Sequence, residues 1–387
     1  MSKSYDVIIV GLGAMGSATA YHLARRGHQV LALDMFSPGH TRGSSHGHSR
    51  MLRQTYYQAP EYVPLVQRAL ALWRELEAES GVDLFMQTGW LGIGRPDARI
   101  IAGFIESARE HGLSYERLTP TEVAARYPGF HLPGDFAAVF DPVAGILRPE
   151  ACLRAYRTRA AMHGATLRDN ECVESWHADG GGVRVTTETG EYHADRLVVT
   201  AGPWTSELLA SLGLPLTIQR VVNIYFAPAE PGRFDPAHCP IYSWSVPEGH
   251  YYGFPSLPDQ GLKIGRHDVG GASARWAACT LETVHRAVDD AEIAMHREML
   301  DRYMPGAAGT VRASVTCLYT NTPDQNFVID RHPQHEQVAF GCGFSGHGFK
   351  FASVIGETLA DLSIKGTTTH PISFLSAARF ASTVVMP

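Results

Sequence analysis

The sequence predicts an α/β chain in two lobes (α+β in overall arrangement), one a parallel sheet between helices and the other an antiparallel sheet. Three observations predict it. A strand, a glycine turn, a helix and a second strand open the chain between Tyr5 and Asp34. Three short alternating runs closed by turns lie between Cys172 and His193. A last strand enters a second glycine-rich turn and a helix between Gln337 and Leu362. At 387 residues the chain also exceeds what one ordinary core organises.

The opening unit is the most informative. Residues 6–10, Asp-Val-Ile-Ile-Val, form an apolar β-branched run typical of a buried parallel strand. Gly11-Leu-Gly13-Ala-Met-Gly16 follows, then a helix pattern through Arg25. The next apolar run, 30–33, ends in Asp34, about 20 residues past the last glycine, where a dinucleotide fold keeps its ribose-binding acid. Gly11 allows the tight turn, Gly13 lets backbone approach a pyrophosphate, and Gly16 lets helix and strand pack closely. The helix start, with Ala14 and Met15 in its first turn, offers N–H groups and a positive dipole end to phosphates.

After Asp34 a polar loop (37–49) leads to Arg50 and Arg53. A helix is expected over 61–79, its face made by Tyr62, Leu65, Val66, Ala69, Leu70, Leu72, Trp73 and Leu76, with Gly81 as its stop. Strands are expected at 90–93 and 137–147, and a helix over 149–163. The three runs that follow (172–177, 183–187, 191–193) read as a β-meander closed by a strand at 197–200 and a helix start at Trp204. NAD dehydrogenases usually place a helix there. FAD domains of the glutathione-reductase type insert a meander, so the first lobe is expected to be an FAD-binding Rossmann domain of that type. The middle, 216–312, is aromatic and strand-like and is expected to form an antiparallel substrate domain. The division expected is 1–85, 146–215 and 313–387 for FAD, with 86–145 and 216–312 for substrate, and the ligand between them. At the C-terminal end, Gly341-Cys-Gly-Phe-Ser-Gly-His-Gly348 aims a second helix start at that ligand.

Composition narrows the function. A net charge of −6 argues against nucleic acid as the main partner. Six scattered cysteines without a C-x-x-C favour a reducing, cytoplasmic setting over a disulfide framework or zinc site. His46-Gly-His48 is the one tempting histidine pair, and it reads as polar loop near a ligand, with no metal expected. Interior glycines, Tyr21 and His22 argue against a signal or membrane segment over 7–24, and none is expected before the first strand.

Taken together, the motifs resemble one family: monomeric sarcosine oxidase, N-methyltryptophan oxidase and pipecolate oxidase, FAD-dependent amine oxidases. The resemblance covers nearly the whole chain. It rests on the first glycine turn, Gly43-Ser-Ser-His-Gly-His-Ser-Arg50 with Arg53, Tyr251-Tyr-Gly-Phe-Pro255, Leu262-Lys-Ile-Gly265, Cys317-Leu-Tyr-Thr-Asn-Thr-Pro-Asp324 and Phe344-Ser-Gly-His-Gly-Phe-Lys350.

The resemblance implies a covalent thioether from Cys317 to the flavin. It implies Arg53 and Lys350 as partners of a substrate carboxylate, a task that suits charged donors in a dry site. Arg50 would lie against the flavin, and Lys263 beside it would promote the reaction with O2 by stabilising superoxide. Tyr252 and His267 would flank the substrate amine. Ser44, His46, Val173, Ala201, Gly202, Trp204, Gly343, Phe344, Gly346, His347 and Gly348 complete the expected cofactor contacts.

The implied reaction is oxidation of a secondary amino acid. Hydride passes from the carbon next to nitrogen to the flavin, the imine hydrolyses, and O2 becomes hydrogen peroxide. An alkylammonium, with a pKa of about 10, cannot release hydride, and nearby cations push it toward the neutral amine. Small-molecule amine and O2 are the expected partners of a monomer. Where bacterial members carry His-His-Gly-Asp-Thr, this chain has Ser45-His-Gly-His48-Ser49, which alters charge beside the flavin. The 319–333 segment is closer to the pipecolate branch. Three readings stay open: an oxidase of sarcosine or another N-methyl amino acid, an oxidase of pipecolate or biosynthetic amine dehydrogenase, and a noncatalytic flavin-bound module. Retention of Arg53, Lys263, Cys317 and Lys350 argues against the last.

Overall fold

The computed structural model describes residues 4–57, 59–267 and 278–383. Its first sheet has eight strands. Ser4–Val10 lies at the centre, parallel to Val30–Asp34 on one side and to Gly190–Val199 on the other, with Thr166–Asp169 beyond. On its other edge the strand Gly190–Val199 serves two partners. Its first half pairs antiparallel with Gly182–Thr187 of the meander, and its last residues pair parallel with His335–Cys342. The inner parallel strands are buried over 7–10, 30–33, 197–199 and 338–342, which is why these segments read as unbroken apolar runs. Helices Ala14–Arg25, Val63–Ser80, Pro149–Met162 and Ala352–Lys365 pack together over one face, and the meander covers part of the other.

The second sheet has nine strands. Thr217–Ala227, Gly261–Arg266, Gly249–Leu257 and Ile241–Val246 run antiparallel in that spatial order, and Trp90–Gly94 joins parallel to the last. Thr310–Asn321 pairs with Thr217–Ala227 along its length. It holds Cys317 opposite Val221 in the second sheet, and the expected boundary at 312/313 falls inside it.

One expectation needs correction. The strand over 137–147 is two strands: Ala137–Asp141 belongs to the nine-stranded sheet, and Gly145–Leu147 to a three-stranded sheet with Arg50–Leu52 and Phe85–Gln87. Pro142 has no N–H for a ladder, and the Asp141 carboxylate accepts the Val143 amide (3.0 Å) to make a turn. The helix start expected at Trp204 is present as a 3₁₀ turn at Gly202–Trp204 and a single helical turn, Thr205–Leu208.

The middle lobe also holds a helix that alternation alone concealed. Asp290–Tyr303 begins with a capping box, in which Asp289 accepts the Glu292 amide and Glu292 accepts the Asp289 amide. That D-x-x-E signal was readable.

Candidate functional site

A cavity of about 1050 Å³ runs from the glycine turn at the first sheet to the face of the second. Every expected cofactor contact lines it except Gly16. Gly16 acts from behind: a Cβ there would run into the Gly11 carbonyl, and the Thr200 hydroxyl would lie 2.7 Å away. Gly11 has φ 94°, a backbone conformation that favours glycine, and a Cβ on it would press on the Thr200 carbonyl. Asp34 ties the turn to the second strand, accepting Leu12 N (2.7 Å) and Phe36 N (2.9 Å). Ser45, which sequence reading left without a role, accepts the Ala14 amide (3.1 Å) at the helix start. This turn, with no side chain at the Gly13 cap, fits the pyrophosphate of a dinucleotide.

Further in, Cys317 lies 3.9 Å from Arg50 Nη2 and 3.8 Å from the Ser44 carbonyl. The Arg50 guanidinium is held by the carbonyls of Ser44 (2.9 Å), Ser49 (2.9 Å) and His46. His46 is pushed down to a pKa of about 4 by burial and then by Arg50, so its ring is neutral. Its Nε2 donates to the Thr316 carbonyl (3.1 Å), and its Nδ1 is buried with no partner among the described residues.

Lys263 is buried, and its ammonium donates to the carbonyls of Gly47 (2.9 Å) and Ser49 (3.1 Å). Burial, then the charge of Arg50, pushes its pKa well below the usual lysine value. The second glycine turn is built on positive φ at Gly343 (64°), Ser345 (46°) and Gly346 (77°), and a Cβ at Gly346 would run into the Tyr319 ring.

The far end holds two buried cations from distant parts of the chain. Arg53 Cζ lies 4.3 Å from the Tyr57 ring centroid and 5.2 Å from that of Trp90. Lys350 donates to the His347 carbonyl (2.7 Å), and its pKa is pushed well down by burial and then by Arg53. His347 is likewise pushed down by burial and Lys350, so it is neutral; its ring bridges the Tyr56 hydroxyl and the Gln325 carbonyl (2.9 Å).

Opposite them, Tyr252 donates to Asn223 Oδ1 (2.8 Å), and burial raises its pKa to about 12. Tyr319 hydrogen-bonds both Tyr252 and His267 Nδ1 (3.2 Å). Asn223 and Tyr319 were missed as site residues. Tyr319 stood inside a quoted motif, whereas Asn223 gave no local signal.

The structure brings the expected Lys263, Arg50, Arg53, Tyr252, His267, Cys317 and Lys350 into one cavity. His48 does not line the cavity: its side chain is exposed, edge-on to Tyr225 at 5.9 Å. Among the described residues no group of three or more His, Cys, Asp or Glu could hold a metal. No described helix is long and apolar enough to cross a membrane, and all six cysteines are unpaired.

Residues 6–362 match the family described as FAD dependent oxidoreductase. The chain is 43% identical over 387 residues to a monomeric sarcosine oxidase of Streptomyces avermitilis, covering 99% of each chain. It is 34% identical to an N-methyl-L-tryptophan oxidase of Salmonella dublin, covering 97% of this chain and 99% of that one. Among solved structures it is similar to the open form of NikD, an unusual amino acid oxidase essential for nikkomycin biosynthesis. That likeness has a TM-score of 0.84 at 27% identity, over 97% of this chain and 98% of the other.

Proposed function

The chain belongs to the FAD dependent oxidoreductase family, and from that premise we propose that it oxidises secondary amino acids, sarcosine or another N-methyl amino acid, with O2 as the final acceptor. The observation that carries the reading is the pair of buried cations, Arg53 and Lys350, at the end of a cavity that begins at a dinucleotide turn. Two buried cations lining one cavity suit an anionic ligand, and the carboxylate of an amino acid is one.

FAD, when bound, would supply the hydride acceptor and the route of electrons to O2. The protein does the rest. Arg53 and Lys350 hold the carboxylate and thereby fix the orientation of the amine. Tyr252 spends its own hydrogen on Asn223 and can bond Tyr319 only by accepting, so both bonds fix its ring beside the place proposed for the substrate amine. The surrounding cations disfavour an ammonium and hold the substrate nitrogen neutral.

Cys317, on a strand that reaches the cavity beside Arg50, is the proposed covalent anchor. The proposed division is 1–85, 146–215 and 313–387 for FAD and 86–145 and 216–312 for substrate. The small amine and O2 are the proposed partners of a cytoplasmic monomer.

Peroxide release over sarcosine, N-methyltryptophan, pipecolate and proline tests the reading. Release from an N-methyl substrate is the expected result. A preference for pipecolate would move the assignment to cyclic amino acids, and a flavin-loaded protein that none of the four reduces would sink it.

A further inference from the structure

We propose that Glu150 is a positioning residue for Lys263, acting through the single peptide unit that joins Gly47 to His48. The inference rests on the flavin-oxidase reading above and adds a residue to which that reading gives no role.

Glu150 stands in the first turn of the helix Pro149–Met162 and lines the cavity. Its Oε1 accepts the amides of Gly47 (2.8 Å) and His48 (3.1 Å). The Gly47 carbonyl belongs to the same peptide unit as the His48 amide. That carbonyl accepts both the Lys263 ammonium (2.9 Å) and the Tyr225 hydroxyl (2.8 Å). One peptide is thus gripped at both ends: a carboxylate pulls on its N–H while two donors converge on its oxygen. Hydrogen bonds in such a chain polarise one another, so the carboxylate strengthens the carbonyl's hold on the ammonium.

The turn needs this grip. Gly47 has φ 101° and His48 φ 60°, and a histidine in the left-handed region is strained unless its surroundings hold it there. The Glu150 bonds to both amides do so. Two of the three ammonium hydrogens of Lys263 are directed to the Gly47 and Ser49 carbonyls, which sets where the third points. The charged side chains acting on Lys263 are Arg50 and Glu150. Among them Glu150 is a carboxylate opposing Arg50, so it also favours the protonated lysine. The nearby His46 is neutral, and the Tyr225 phenol is held protonated by burial.

The test uses the holoenzyme, photoreduced without substrate and mixed with O2, so it does not depend on the identity of the amine. Glu150→Ala removes the acceptor, whereas Glu150→Gln keeps an oxygen and removes the charge. Reoxidation is expected to slow by about tenfold or more in Glu150→Ala and by less in Glu150→Gln, as for loss of a preorganised electrostatic partner. Anaerobic reduction by substrate should be unchanged in both. In a Lys263→Met background, Glu150→Ala should add nothing, because its effect passes through the lysine. Independently of turnover, the Lys263 ammonium, followed by ¹⁵N side-chain NMR, should lose its proton at lower pH in both variants.

Unchanged reoxidation in Glu150→Ala overturns the proposal. So does a parallel loss of reduction and reoxidation, or an equal loss in the Lys263→Met background. A wild-type photoreduced enzyme inert to O2 would instead overturn the oxidase reading.

Discussion

The guanidinium of Arg53 and the ammonium of Lys350 lie over one ring, that of Tyr56, at 4.9 and 5.3 Å from its centroid. Two like charges in a buried place repel, and the lowered Lys350 pKa records that cost together with the cost of desolvation. The aromatic faces of Tyr56, Tyr57 and Trp90 offset part of it. A bound carboxylate would offset more, and that is the role proposed for the pair.

Replacing either cation should therefore act on the carboxylate. Arg53→Met or Lys350→Met should lose about 1.5–3 kcal/mol, the value of a charge-assisted hydrogen bond, or roughly ten- to a hundredfold in kcat/KM. Steady-state kinetics on the amino acid and its methyl ester checks this. The ester should show little difference between wild type and variant; an equal loss on the ester would remove the assigned role.

Cys317→Ser should separate the flavin from the polypeptide. After acid precipitation, wild-type colour is expected in the pellet and the variant's colour in the supernatant, read by absorbance. Colour in the wild-type supernatant would end the covalent assignment.

Gly16→Ala should damage the nucleotide end. The added methyl meets backbone, the Gly11 carbonyl, which cannot rotate away as a side chain would. Overpacking of this kind costs about 1–3 kcal/mol. Flavin bound per polypeptide and Tm should both fall. Full flavin content at wild-type Tm would contradict the packing described.

Glu79 predicts an acid-sensitive staple away from the cavity. Its carboxylate gathers the Tyr21 hydroxyl, Arg159 Nε (2.8 Å) and His163 Nε2 (3.0 Å), joining three helices. Burial alone would raise its pKa, but hydrogen bonds from Tyr21, His163 and Arg159 together outweigh this and hold it at about 2. A carboxylate with a depressed folded pKa contributes stability above its unfolded value, and that stability is lost as pH falls toward the folded value. Glu79→Gln should lower Tm at pH 7, with a gap to wild type that narrows from the ordinary glutamate range down toward pH 2. Thermal melts across that range check it; a gap constant with pH would show that charge is not the cause.

What the sequence determined by itself is what local chemistry decides. Strand, turn, helix and Asp34 lie within one short segment, so the glycine φ values and Asp34's hold on Leu12 N follow from neighbours in the chain. The meander was legible for the same reason, since alternation and turn residues set it. Tertiary structure alone decided which distant side chains meet. Asn223, Tyr252, His267 and Tyr319 converge from separate strands or strand ends, and Glu150 reaches a turn a hundred residues earlier in the chain. It also left His48 exposed. The physical reason is that register between strands far apart in sequence, and the packing of helices upon them, fix which faces oppose. Spacing along the chain carries no record of that.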